Sequence, residues 1–166
     1  MVFTSELFLA NPGTSAVEAT LVYTPAPLLG GSGTPLTGKV SVPAGRQLRI
    51  PDTIAYLRDT LGFPLPADGV NQGGALRVTG ARAYVRPSNP NPDGTVGGTF
   101  GLAYPAVGEA AWARTEAWVY GLVQDDATRS NLALVNAAAS GGRVAFLVDV
   151  VDPSTGGSKK TVRVEL

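Results

Sequence analysis

The 166-residue chain has no His and no Cys. Those two absences remove the Ser-His-Asp and Cys-His arrangements, because no side chain is left to act as the base or the thiolate. They also remove the usual ligands of zinc and copper. Acid–base work at neutral pH would fall to carboxylates. Glu109, Glu116, Asp125 and Asp126 are the candidates for a glycoside-hydrolysing pair. Asp125 and Asp126 are adjacent, so in a strand they point to opposite faces, and in a turn before Arg129 they cap backbone groups or pair with that Arg. The expectation is therefore no catalytic residues and no enzyme.

Metal and phosphate chemistry are equally thin. Asn89, Asn91 and Asp93 alternate before Gly94 in the manner of a calcium loop. Pro90 and Pro92 fill the intervening positions, and no Glu follows at the EF-hand distance, which favours an Asn/Pro/Asp/Gly hairpin tip. Gly30-Gly31-Ser32-Gly33 and Gly97-Gly98 lie between strand-like stretches and open no helix, so they read as loops and not as phosphate cradles. No metal and no cofactor are expected. The binding candidates are aromatic. Trp112, Trp118 and Tyr120 cluster in sequence, with Tyr104 upstream, and such rings can stack on sugars while polar neighbours bond the hydroxyls. The competing use of a Trp is to fill the core of a sandwich.

These side chains must be positioned by strands. Period-two alternation recurs at residues 5–9, 17–23, 39–42, 47–50, 75–78, 81–86, 100–104, 114–123, 131–135, 143–151 and 161–164. Gly (21) and Pro (13) punctuate these stretches, which predicts an all-β, antiparallel sandwich of about eight to ten strands. One helix interrupts the pattern. Asp52 is a natural N-cap, Ile54, Leu57 and Leu61 share one side, and Gly62 ends the turn. It is expected to plug an open end of the sandwich. Residues 25–38 and 87–98, rich in Pro and Gly, are expected to be long exposed loops.

The chain also repeats itself. Ser5-Glu6-Leu7-Phe8-Leu9-Ala10-Asn11 matches Ser130-Asn131-Leu132-Ala133-Leu134-Val135-Asn136. A small-residue turn, an apolar strand, a polar loop and a Val-x-Val strand follow each copy, ending at Val40-Ser41-Val42 and Val162-Arg163-Val164. Asn11 and Asn136 read as turn devices, since an Asn side chain can accept a bond from the N–H two residues on. We read one domain, 1–166, with repeats at 5–50 and 130–166 and a central segment, 51–129. The second copy stops early, which leaves an edge strand open to pairing with a second chain.

Thirteen Lys and Arg balance thirteen Asp and Glu, which argues against nucleic acid as a partner. No apolar run approaches the length of a membrane span, and the start, from Met1 to Thr4, has no signal-peptide character. That start fits a cytoplasmic protein or an excised piece of a longer secreted one, and the unfinished repeat favours the second.

The run Leu7 to Gly13, the Val40-Ser41-Val42-Pro43-Ala44-Gly45 turn, Gly74 to Val78 and Gln124 to Asn136 together resemble modules of large secreted bacterial proteins. The resemblance covers most of the chain, and its motifs are turns and strand ends. It implies an immunoglobulin-like sandwich, an extracellular or cell-surface location, and a structural or adhesive role. The implied partners are other domains of the parent protein, or a glycan or protein at the cell surface. The alternatives are a carbohydrate-binding module using Tyr104, Trp112, Trp118 and Tyr120, and a glycan-active enzyme.

Overall fold

A computed structural model describes residues 4–67, 73–90, 98–123, 125–126, 130, 132–137 and 142–166. The described residues form ten strands, one short α-helix and two 3-10 turns, and every strand pair is antiparallel. The chain divides into two compact units, Met1–Thr115 and Glu116–Leu166. No helix among the described residues is long and apolar enough to cross a membrane.

The first unit holds two sheets. One places β4 (Arg46–Ile50), β1 (Thr4–Asn11), β6 (Arg82–Pro90) and β7 (Thr99–Gly101) side by side, with β8 (Tyr104–Pro105) also on β6. The other runs β3 (Leu36–Val42), β2 (Val17–Pro25), β5 (Gly74–Thr79). Period two sends the odd-numbered residues of β1 and β2 inward. Leu7, Leu9, Ala19 and Leu21 are fully buried, and Tyr23 nearly so. Val42 from β3, Ile50 from β4, Leu57 from the helix and Phe63 complete the buried core.

The helix α1 (Thr53–Asp59) forms where the sequence predicts it. The Asp52 carboxylate accepts from the Ala55 N–H at 3.0 Å, and Gly62 stops the chain with a left-handed φ of +71°. Leu57 is driven into the core, and the Thr53 hydroxyl donates to the Ser5 carbonyl at 2.6 Å, tying the helix to β1. The chain beyond α1 sets the packing on β3: a Cβ on Gly38 would lie 2.9 Å from Leu61 Cδ1 and 3.1 Å from the Phe63 ring. Glycine is thus the residue that lets the post-helix segment lie against the sheet.

Three expectations need correction. The loop read at 25–38 is shorter, because Pro25 ends β2 and Leu36 to Gly38 already belong to β3, paired with β2. The strand β6 runs through Pro87 to Pro90, inside the stretch read as a loop. Pro87 falls between the part of β6 paired with β8 (Tyr84, Val85) and the part paired with β7 (from Ser88), so that flank has no neighbouring ladder to lose a bond. The stretches 114–123 and 132–135, read as strands, lie in no sheet.

The described residues of the second unit form one sheet, the hairpin β9 (Ala145–Val151) with β10 (Ser158–Glu165). Its tip is held by Asp152, whose carboxylate accepts from the Ser154 N–H and hydroxyl at 2.9 and 2.6 Å. Those bonds, with Lys159 at 3.0 Å, hold the Asp152 carboxyl well below the usual carboxylate range.

Candidate functional site

The four aromatic candidates divide between the two units, Tyr104 and Trp112 in the first and Trp118 and Tyr120 in the second. Tyr104 sits on β8 opposite Val85 and is exposed. Trp112 follows the 3-10 turn Glu109–Ala111 and is half-buried. Its indole N–H donates to the Val107 carbonyl at 3.2 Å, and the Arg77 guanidinium lies 5.7 Å from the ring centroid. A cation so placed occupies one face of the indole. Neither Trp belongs to the buried core.

Trp118 and Tyr120 belong to the second unit, and the structure does bring these two together. Their ring centroids are 6.3 Å apart and their planes lie within 15° of parallel. Exposure is 63% for Trp118 and 82% for Tyr120. The Glu116 carboxylate accepts from the Trp118 indole N–H. Spacing of two residues in extended chain puts both rings on one side, and Gly121, with φ +76°, turns the backbone directly after them. A little further on, the Ser130 N–H donates to the Val123 carbonyl at 3.0 Å and the Ser130 hydroxyl accepts from the Val123 N–H at 2.9 Å. These bonds tie together the ends of the two segments that lie in no sheet.

The carboxylate candidates divide between the units, Glu109 in the first and Glu116, Asp125 and Asp126 in the second. Glu109 lies in the 3-10 turn of the first unit, while Glu116 is engaged by Trp118 in the second. Among the described residues no three acidic side chains converge in a way that could hold a metal ion. Of the calcium-loop reading, Asn89 lies on β6, and Asn91, Asp93 and Gly94 fall outside the described residues.

Sequence reasoning missed the outer face of the five-stranded sheet. Glu6 there is almost fully buried beneath two guanidiniums. Arg49 donates through Nε at 3.0 Å and also through Nη2, and Arg86 Nε lies 2.8 Å away. The hydrogen bond from Arg49 is the main reason the Glu6 carboxyl sits below its ordinary 4.5, and Arg86 adds to it. Next along the same face, Phe8 meets Tyr84 edge-on with centroids 5.9 Å apart. With Gln47 they line a shallow depression of about 410 Å³. The signal was present in the alternation, since Glu6 and Phe8 share a face opposite to Leu7 and Leu9. What single-strand reading lacked was the register that sets Phe8 opposite both Arg49 and Tyr84.

The two repeat Asn residues are the other informative positions. Asn11 Oδ1 accepts from the Gly13 N–H at 3.0 Å, the predicted Asx turn. Its Nδ2 reaches the carbonyls of Ser15, Val42 and Pro43 at 2.8, 3.0 and 3.2 Å. Asn136 Nδ2 in turn reaches the carbonyls of Gly142 and Leu166 at 2.6 and 3.5 Å. Comparison with family models, with curated proteins and with solved structures returns no match.

Proposed function

We propose that the chain is a non-catalytic, immunoglobulin-like structural and interaction module of a larger secreted or surface protein, placed outside the cell. The observation that carries this reading is the Asn latch used twice, by Asn11 at the end of β1 and by Asn136 at the end of the alternating segment 132–135, each joined to the paired ends of the next two strands. A repeated closure device belongs to an array built of copies of one unit, and arrays serve spacing and display. The test is a panel of polysaccharides incubated with the protein. No turnover is expected, and turnover that disappears in Glu109→Gln or Glu116→Gln overturns the reading.

A second reading is favoured by the exposed, near-parallel pair Trp118–Tyr120: a platform for a sugar ring, with the Glu116 carboxylate beside it. Glycan-array binding lost in Trp118→Ala and kept in Trp112→Ala supports this platform, and binding insensitive to both substitutions removes it.

A further inference from the structure

Among the described residues, the second unit repeats the latch of the first but not its cover. In the first unit Asn11 bonds the carbonyl of Ser15 and that of Val42, and Val42 pairs with Val17, two residues past Ser15. In the second, Asn136 bonds the carbonyls of Gly142 and Leu166, and Leu166 exchanges both backbone bonds (2.9 and 3.0 Å) with Val144, two residues past Gly142. The latches superpose Asn11 on Asn136, Val17 on Val144 and Val42 on Leu166. Leu7 and Leu9 then correspond to Leu132 and Leu134, and Leu21 and Tyr23 to Val148 and Val150.

In the first unit these positions are buried, with β1 flanked by β4 and β6 and β2 flanked by β3 and β5. In the second, Leu132 is 44% exposed, Val150 47%, and Leu134 and Val148 are only half-buried. Residues 132–137 make no strand ladder, although their sequence alternates as β1 does.

The first unit also shows what occupies such a face. After Val42, the Pro43-Ala44-Gly45 turn brings the Gly45 N–H to the Gly13 carbonyl at 2.9 Å, and β4 runs antiparallel along β1. Its two apolar residues, Leu48 and Ile50, stand opposite Leu9 and Leu7, and both pack on the core. We propose that the apolar face of the second unit is the seat of an extended polypeptide strand of β4 chemistry. Two large apolar side chains two residues apart stand opposite Leu134 and Leu132, a polar residue lies between them, and the backbone pairs antiparallel along 132–136. This is strand addition, in which main-chain bonds give affinity and alternate pockets give selectivity. It rests on the module reading, but turnover of a polysaccharide would overturn that reading without touching strand docking.

The test extends the full chain after Leu166 with a copy of residues Pro43 to Ile50, which the latch superposition places in register. Amide hydrogen exchange is read at Leu132 and Leu134. The in-register extension is expected to slow exchange at both by at least about tenfold, as cooperative strand pairing does. A control extension with one Ala inserted before the Leu turns its apolar pair outward and is expected to give no protection. Adding Asn136→Ala to the in-register extension is expected to cancel its effect. Equal protection by the two extensions, or none by either, overturns the proposal. So does an unextended protein that sediments as a dimer with these amides already protected, because a second copy would then be the occupant.

Discussion

Asn11 engages four backbone groups with one short side chain, Oδ1 accepting from the Gly13 N–H and the two Nδ2 hydrogens shared among three carbonyls. The residue is 4% exposed, so water cannot replace those bonds. Asn11→Ala is expected to cost about 2–3 kcal/mol in urea unfolding, the range for orphaned buried polar groups. Asn11→Asp is the sharper test. It keeps the acceptor for Gly13 but turns an anionic oxygen toward three carbonyls, so it is expected to be at least as damaging as Ala. An Asp variant as stable as the parent would show that the acceptor alone matters. Glu6 makes a different prediction. Its folded carboxyl is held below 4.5 by Arg49 and Arg86, so its stabilisation is full above that pH and is lost as pH falls through the lowered folded value. Glu6→Gln is expected to flatten the acid limb of the stability profile below about pH 5 and to leave the profile near neutrality parallel to that of the parent, as pH-resolved denaturant melts would record.

At the scale of elements, the structure separates what is local from what is not. Asp52, Leu57 and Gly62 announced the helix because a cap, a side and a stop are chemistry within ten residues of chain. Asp52→Ala is accordingly expected to cost about 1 kcal/mol by thermal melt, with the helix retained through Leu57. The strands of the first unit were legible for the same reason: alternation at Leu7–Leu9 and at Ala19–Leu21–Tyr23 is carried by the strand itself. Pro87 was misread because its tolerance depends on where β7 and β8 stop, which no local pattern states. The segments 114–123 and 132–135 alternate equally well and still lie in no sheet, since a strand needs a neighbour and the sequence pattern does not supply one. Among the candidate residues, Trp118 and Tyr120 could be paired from spacing alone. Glu6 with Arg49 and Arg86 could not, because they meet only across three strands. Gly38 tests such non-local packing. Gly38→Val suits a strand by propensity, yet it drives methyl groups into Leu61 and Phe63 and is expected to destabilise by about 1–3 kcal/mol in the same melts.

At the scale of the whole molecule, the two units differ in what holds them. Every member of the buried core lies between Leu7 and Phe63, in the first unit. The described residues of the second unit form one two-stranded sheet, and an isolated hairpin is marginal in water. Local opening should therefore begin there, and trypsin can report it. In the first unit the basic residues Lys39, Arg46, Arg49, Arg77, Arg82 and Arg86 all lie on paired strands, and Arg58 is on the helix whose Leu57 is fully buried. Arg114 is exposed, lies in no regular element and stands one residue before the end of that unit. Arg143, Lys159, Lys160 and Arg163 all belong to the second. Brief digestion is expected to clear the second unit and leave a resistant fragment ending at Arg114, identified by its intact mass. Cleavage within β4 or β6 at the same rate as after Arg114 would mean that the first unit opens as readily as the second, and that its buried core does not give it independent stability.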